Sequence, residues 1–459
     1  MTFKDKRITL MGLGLFGGGL GAARYLVGLG ARVTVTDLKS ADALQASVQV
    51  LKDLPVALHL GGHRDEDFAN TDAVVVSPAV RPDSPYLKLS RANGVPVIRR
   101  DNLFFEACLA PIIGVTGSNG KTTTTALIGA ILKETDPRTV VSGNIGGSLF
   151  DVLGQIAPDT PVVVELSSFQ LEGLRQISWS PHIAVVTNLS PNHLDYHDTM
   201  QAYIDAKKGI ISHQTGNDVA VLNKGDKEVS SWADDCRGKV VFFSMSQPVQ
   251  EGAYLDQQDI VVAQPGQPHQ VVCSATTLQL PGRHNVENAL AATAAALAYG
   301  APVEALARAL RTFEGVPHRL ELVREADGVK YYNDSIATTP ESAIAALNAF
   351  DQPIVLIAGG YDKGIPFDDL ADHIARRVKA LILIGATADT IEQAVSARTE
   401  GTSKPQRFRC ADLHEAVRQA KQVAAPGDVV LLSPACASYD QFNNFTERGD
   451  RFRSLVQAL

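Results

Sequence analysis

The sequence predicts three α/β domains in series, and three observations predict them. Short β-branched runs alternate with helical patterns from one end of the chain to the other, as in parallel sheets covered by helices. Two glycine-rich loops, at residues 12–17 and 117–122, each stand between a predicted strand and a predicted helix. The chain has 459 residues, enough for about three domains at roughly 150 residues each.

Residues 7–11 read as a buried strand, 17–29 as a helix and 32–36 as a second strand. The run 72–76 continues the series. The run 95–98 reads as a weak or edge strand, because Pro96 removes a ladder donor. A second series opens with a strand at 111–116 and continues through strands at 162–166, 183–188 and 218–222. It then enters a β-rich stretch at 239–280 and two helical patterns at 284–313. The third series carries strands at 329–332, 353–358, 380–385 and 428–432 with helices between them. The polar stretch 99–102 marks one junction and EGVPHR at 314–319 the other, since Gly and Pro interrupt a helix there. The domains expected are therefore 1–102, 103–316 and 317–459.

Composition sets outer bounds. Hydrophobic residues make up 45% and charged residues 20%, with mean hydropathy +0.00, which disfavours disorder and coiled coil. The balance of 42 Lys and Arg against 50 Asp and Glu gives a net charge of −8, which excludes wrapping of nucleic acid through the overall field. Small anionic ligands stay open, since loops and helix ends hold them locally. Cys108, Cys236, Cys273, Cys410 and Cys436 form no CxxC pair, which argues against a disulfide framework or a thiolate zinc site and for the reducing cytoplasm. No uninterrupted apolar run reaches about 18 residues, so no membrane span is expected. The opening MTFKDKRITLMGLGLFGGGL carries basic residues before an apolar stretch, yet glycines and Arg24 break it and no small-residue cleavage site follows.

The first loop, Gly12-Leu13-Gly14-Leu15-Phe16-Gly17, is followed 20 residues later by Asp37 at a strand end. Glycines permit a tight turn and close approach of backbone to phosphate, and the acid accepts a ribose hydroxyl. The residues leave open NAD or FAD, another nucleotide on the same loop, and a purely structural turn. The second loop is Gly117-Ser118-Asn119-Gly120-Lys121-Thr122. It offers converging backbone N–H groups, a lysine for the β- and γ-phosphates and a hydroxyl for Mg²⁺. The full GxxxxGK[ST] pattern fails because Val115 stands five before Gly120, leaving the shorter GxxGKT form and ATP as the expected ligand. Glu165, ending a strand beside this loop, stands where Mg²⁺ is usually held. His193 follows the strand at 183–188, at the edge where α/β folds bind ligands. By itself Lys207 reads as a solvated helix lysine.

GSNGKT at 117–122, GNIG at 143–146, VELSSFQLE at 164–172, NLSPNHLD at 188–195 and YIDAK at 203–207 occur in that order. GRHNVEN at 282–288, PHR at 317–319, NDSIATTP at 333–340 and SPACASYDQFNNFTERG at 433–449 follow. Together they make the chain resemble the Mur ligases over all three segments, and most of all the branch that adds glutamate. The resemblance implies an N-terminal Rossmann-like domain, a central P-loop ATPase-type domain and a C-terminal Rossmann-like domain. It implies a cytoplasmic, monomeric, ADP-forming ligase of peptidoglycan precursor synthesis, joining glutamate to UDP-N-acetylmuramoyl-L-alanine through an acyl phosphate. D-glutamate is the expected isomer; the same ligation with L-glutamate and a folylpolyglutamate-type ligase are the alternatives. The partners implied are these small molecules, with ATP and Mg²⁺.

By the same resemblance ATP lies over Gly117, Ser118, Asn119, Gly120, Lys121, Thr122 and Thr123, with Asn288, Arg319 and Asp334 also meeting it. Lys121, Glu165, His193 and Lys207 match the catalytic set, and Thr122, Glu165, His193 and Lys207 the metal set. Lys207 stands where the family carries a carbamylated lysine, which needs a neutral amine to meet CO₂. Leu15, Phe16 and Asp37 match the uridine-diphosphate site. Asn144, Ser167 and Gln170 match other substrate contacts. Thr338, Lys363, Ser438 and Phe445 match the positions that hold the incoming glutamate. The stretch 314–319 is expected to act as a hinge for closure. Three positions depart from the family pattern: Ile336 where a lysine is common, Asn192 where an aspartate is frequent, and Tyr361 in place of a smaller or acidic residue.

Two readings from other classes compete. An NAD-dependent oxidoreductase would use the loop at 12–17, and a non-catalytic nucleotide-binding protein would make the cluster of Lys121, Glu165, His193 and Lys207 a coincidence.

Overall fold

A computed structural model describes the chain apart from residues 1, 14–17, 78–79, 82, 144–148, 193, 281, 363–364 and 399–404, and the side chains of residues 46, 194 and 195. The chain divides into two compact units, Met1–Phe313 and Glu314–Leu459. The described residues form three sheets, two in the first unit and one in the second.

The first sheet contains β1 (Arg7–Met11), β2 (Arg32–Asp37), β3 (Val56–Leu60), β4 (Ala73–Val76) and β5 (Val97–Arg99), in the order β3-β2-β1-β4-β5, all parallel. Its strand order reverses at β1, the place where a doubly wound sheet opens a crevice beyond its carboxyl ends. Gly12 and Leu13, which follow β1, stand at that crevice.

The second sheet contains β6 (Ile112–Thr116), β7 (Val140–Ser142), β8 (Val162–Glu165), β9 (Ile183–Val186), β10 (Val219–Asn223), β11 (Lys239–Ser244), β12 (Gly252–Asp256), β13 (Asp259–Ala263) and β14 (Gln270–Ser274). Its order is β14-β13-β12-β11-β10-β9-β6-β8-β7, parallel from β12 through β7. The uniformly buried runs of β6, β8 and β9 suit strands covered on both faces. Helix Lys121–Lys133 follows β6 and packs against the alanine-rich helix Arg283–Tyr299, whose small buried side chains let the two come close.

The second unit contains β15 (Glu321–Ala326), β16 (Val329–Asn333), β17 (Ile354–Ala358), β18 (Val378–Leu383), β19 (Gln406–Arg409) and β20 (Val429–Leu432), in the order β15-β16-β20-β17-β18-β19. The sequence reading of parallel architecture holds for the interior of all three sheets. Antiparallel pairing enters at the margins, at β12–β13, β13–β14 and β15–β16, where short hairpins extend a sheet without a crossover. Among the described residues no helix is long and apolar enough to cross a membrane.

Candidate active site

The loop between β6 and helix Lys121–Lys133 is held in shape by two glycines. Gly117 has φ +149° and Gly120 has φ +81°; a Cβ on the first would collide with Thr187 Oγ1 and on the second with Asn288 Oδ1. Only glycine fits both the backbone and the space. Gly120 stands directly before the helix, whose first turn carries no acid of its own to compete for the helix N-terminus.

Side chains and backbone from distant segments pin this loop. Ser118 N–H donates to Asn188 O at 2.8 Å, and Ser118 Oγ donates to Ser190 O at 2.8 Å and lies 3.0 Å from Tyr203 OH. Asn119 N–H donates to Asn188 Oδ1 at 2.9 Å, and Thr187 Oγ1 donates to Asn119 O at 2.6 Å. On the helix side, Thr124 Oγ1 donates to Asn288 Oδ1 at 3.4 Å. Thr122 is buried behind the loop and Thr123 half-buried.

Two lysines close on the loop. Lys121 Nζ donates to the carbonyls of Gly117 and Ser118, both at 2.9 Å. Lys207 lies on helix Met200–Ser212 and is 2% exposed, so the solvated reading of this side chain is corrected; its helix turns it inward with Tyr203 and Ala206. Its Nζ donates to Gly117 O at 2.8 Å and Thr116 Oγ1 at 3.3 Å, and stands 4.9 Å from the centre of the Tyr203 ring. Burial, and then the charge of Lys121, push the Lys207 pKa well below the ordinary lysine value, against the opposing pull of Glu165. Glu165 ends β8 beside β6, paired in register with Val115, and is 3% exposed.

Ser167 and Gln170 form a capping box at helix Ser168–Leu174: Ser167 N–H donates to Gln170 Oε1 at 3.0 Å and Gln170 N–H to Ser167 Oγ at 3.3 Å. Gln170 Nε2 then donates to Asp101 Oδ2 at 2.9 Å, tying the segment after β5 to the central sheet. Asp37 ends β2 with its carboxylate taking two backbone N–H groups, Leu13 on Oδ2 and Lys39 on Oδ1, both at 2.9 Å. It lines a cleft of about 600 Å³ together with Met11, Leu38, His63 and Tyr86.

In the second unit Asp334 is buried, accepting from Ser433 Oγ at 2.8 Å and Leu320 N–H at 3.2 Å, and burial pushes its carboxyl up to about 7. Ser438 is buried, Thr338 and Phe445 are half-buried, and Arg319 is exposed. Buried Arg448 donates to Ser335 O, Cys436 O and Ala437 O, binding the segment before Ser438 to the segment after Asp334.

The structure therefore brings Gly117–Thr122, Lys207 and Asn288 around one loop in the first unit, with Glu165 ending the adjoining strand, and sets Arg319, Asp334, Thr338, Ser438 and Phe445 in the second unit. Leu15, Phe16, Asn144, His193 and Lys363 lie outside the described residues. Tyr203, Asp101, His63 and Arg448 were missed by the sequence reading. Of the departures, Ile336 is half-buried, Asn192 is exposed, and Tyr361 is 46% exposed with its N–H donating to Ala437 O at 2.8 Å. Among the described residues no group of three or more His, Cys, Asp or Glu is placed to hold a metal. A hard cation that keeps waters and substrate phosphates among its ligands needs no such group, and a hydroxyl plus a carboxylate suit it.

Comparison with known proteins agrees along the whole chain. A family model described as the MurD-like N-terminal domain of Mur ligases matches residues 6–99, the Mur ligase middle domain matches 115–296, and the Mur ligase glutamate ligase domain matches 318–436. The chain is 47% identical to the UDP-N-acetylmuramoylalanine–D-glutamate ligase of Roseiflexus sp. (strain RS-1), covering 100% of both chains. It is 46% identical to the ligase of the same name from Symbiobacterium thermophilum, covering 99% of this chain and 98% of the other. Among solved structures it is similar to UDP-N-acetylmuramate-alanine ligase MurC from Thermotoga maritima, with TM-score 0.58 at 21% identity over 99% of this chain and 100% of that one. It is also similar to the MurF ligase of Thermotoga maritima in complex with ADP, with TM-score 0.52 at 17% identity over 93% and 96%.

Proposed function

The chain belongs to the Mur ligase family, and from that premise we propose that it joins D-glutamate to UDP-N-acetylmuramoyl-L-alanine at the expense of ATP, in peptidoglycan precursor synthesis. The relatives at 40–47% identity over nearly the whole chain carry this activity in their names. The observation within this chain that carries the reading is the convergence of Lys121 and Lys207 on the carbonyl of Gly117.

The chemistry follows from charge. A carboxylate is a poor electrophile and has no good leaving group. Transfer of the γ-phosphoryl group of ATP to the substrate carboxylate gives an acyl phosphate and ADP. The neutral amine of glutamate then adds to the acyl carbon, and the tetrahedral adduct expels phosphate to leave the amide.

In this reading the loop amides of Gly117–Gly120, Lys121 and the helix N-terminus hold the triphosphate, offsetting charge that would otherwise oppose approach of the substrate carboxylate. Asn288 and Asp334, with Arg319, contribute to nucleotide binding. Thr122, Glu165 and His193 are the residues proposed for Mg²⁺. The depressed basicity of Lys207 supports its reaction with CO₂, in which the amine gains a carboxylate, releases a proton and becomes an oxygen donor for the same ion. When bound, Mg²⁺ would neutralise phosphate charge during transfer. Leu15, Phe16 and Asp37 take the uridine diphosphate, Asn144, Ser167 and Gln170 the rest of that substrate, and Thr338, Lys363, Ser438 and Phe445 the glutamate. The domains proposed are 1–102, 103–316 and 317–459, acting in a cytoplasmic monomer.

The test is phosphate release from ATP and UDP-N-acetylmuramoyl-L-alanine with D-glutamate, L-glutamate and D-aspartate offered separately. Release dependent on D-glutamate is expected. Phosphate release that none of the three amino acids stimulates would sink the ligase reading, and a preference for L-glutamate would sink the stereochemical part alone.

A further inference from the structure

The cleft at the carboxyl edge of the first sheet contains a ring that no part of the reading above uses. His63 follows β3 through Gly61 (φ +82°) and Gly62 (φ +155°). Gly61 N–H donates to Lys39 O at 2.8 Å and Gly62 N–H to Asp37 O at 3.2 Å, so this turn is folded against the end of β2. The result places His63 beside Asp37 in the wall of the 600 Å³ cleft.

Three contacts fix the ring. His63 Nδ1 lies 2.8 Å from Thr36 Oγ1, a fully buried hydroxyl at the end of β2. The ring meets Tyr86 edge-on at 4.8 Å between centroids and Phe68 edge-on at 5.6 Å. With Nδ1 engaged by Thr36, Nε2 is the ring nitrogen without a partner among the described residues. Burial lowers the His63 pKa, against the charges of Asp37 and Asp67, which favours the neutral ring.

Met11, Leu38, Pro85 and Tyr86 supply apolar walls that suit a flat heterocycle, with Arg81, Asp83 and Ser84 also in the lining; Leu38 is 68% exposed, an uncovered apolar side chain. Asp37 lines the same slot and takes the Leu13 N–H, where its carboxylate suits a ribose hydroxyl. We propose that His63 is a specificity residue that reads the polar edge of the uracil base, fixing the nucleotide end of the substrate. The proposal rests on the reading of this sheet as the uridine-diphosphate site.

The chemistry discriminates whichever ring nitrogen carries the proton. As an acceptor, Nε2 pairs with the N3–H of uracil, where cytosine presents a lone pair. As a donor, Nε2–H pairs with O4 of uracil, where cytosine presents an amino group. Either way cytosine leaves two like groups facing each other in a half-buried site, and such a mismatch costs about ten-fold or more in affinity.

Calorimetric titration of the full chain with UMP and with CMP tests this. The wild type is expected to favour UMP by about ten-fold or more, and His63→Ala to lose most of that preference. His63→Gln, whose carboxamide presents a donor or an acceptor, is expected to retain part of it. In the ligation assay His63→Ala should raise KM for the UDP-linked substrate while leaving KM for ATP and glutamate within about two-fold, a split that general loosening of the fold does not produce. The ring resonances of His63 in the wild type, assigned by their loss in His63→Gln, should shift with UMP and not with ATP. Unchanged UMP affinity and preference in His63→Ala, or an unmoved His63 resonance on UMP binding, overturns the inference and leaves the ligase reading standing. Failure of the wild type to bind UMP at all overturns the uridine-diphosphate site, and the inference with it.

Discussion

Lys121 and Lys207 share one acceptor: their Nζ atoms lie 2.9 and 2.8 Å from the carbonyl oxygen of Gly117. Burial and the charge of Lys121 disfavour a second cation here and lower the Lys207 pKa, against the pull of Glu165. In the proposed reading, triphosphate on the loop would offset the charge of Lys121, and a carbamate on Lys207 would replace its amine with an anion.

Replacing Lys207 should therefore remove more than a packing contact. Lys207→Ala is expected to lose at least about a hundred-fold in amino-acid-dependent phosphate release, as expected for removal of charge stabilisation at a phosphoryl-transfer site. Acetate or propionate should restore part of it by standing in for the carbamate oxygens. Full activity of the variant would remove Lys207 from the metal site.

Gly117→Ala tests the loop itself. The added methyl meets Thr187 Oγ1 on a backbone whose φ of +149° disfavours a side chain. The loop must move, and its converging N–H groups with it. ATP affinity measured by equilibrium dialysis should fall by about a hundred-fold or more, since several charge-assisted hydrogen bonds go together. UMP binding at the first sheet should stay as it was, and a parallel loss there would mean that the unit had unfolded.

The strands that the sequence hid share one property. β3, β7, β15 and β19 all lie at sheet edges, and their burial alternates weakly or not at all: half-exposed through most of Val56–Leu60, and exposed at both ends of Gln406–Arg409. Interior strands such as Ile112–Thr116 are buried on both faces and show as unbroken apolar runs. The site divides in a similar way. The glycine loop at 117–122 and its lysine are a local pattern, legible as a strand-to-helix turn because six adjacent residues carry it. Tyr203 reaches Ser118 across 85 positions and Gln170 reaches Asp101 across 69, and no local pattern announces such a contact. Ser167 and Gln170 were legible as an S-x-x-Q capping box, a structural role that the resemblance to substrate contacts had masked.

Asp334 links pH to stability. Burial raises its folded-state pKa to about 7 from an ordinary 3.8. Between those values the folded chain holds a proton that the unfolded chain has lost. Stability from this group is therefore full below about pH 4, falls as pH rises toward 7, and is lost above it. Asp334→Asn cannot lose the proton, so the variant should gain on the wild type across that window, by on the order of 4 kcal/mol at about 1.4 kcal/mol per pKa unit. Denaturant midpoints of both proteins at pH 4, 5.5 and 7.5 measure it, and parallel profiles would refute a neutral carboxyl at this position.

Arg448 is 1% exposed, and among the described residues no carboxylate pairs with it. Its partners are Ser335 Oγ at 3.0 Å, Ser335 O at 2.9 Å, Cys436 O at 3.1 Å and Ala437 O at 3.2 Å. Burial lowers its pKa to about 10, against the charges of Cys436 and Asp440, so the guanidinium is still charged at neutral pH, and its hydrogen bonds go to neutral oxygens. Arg448→Met keeps the volume and leaves those acceptors dry, at a cost of roughly 3 kcal/mol. Arg448→Lys keeps the charge but not the fork, and should fall between the two. The same guanidinium ties Ser335, next in the chain to Asp334, to Cys436 and Ala437, which precede Ser438. KM for glutamate should therefore rise in Arg448→Lys, while KM for the UDP-linked substrate, proposed to bind in the other unit, stays within about two-fold. Equal rises in both would mean that the guanidinium stabilises the unit without positioning the glutamate loop.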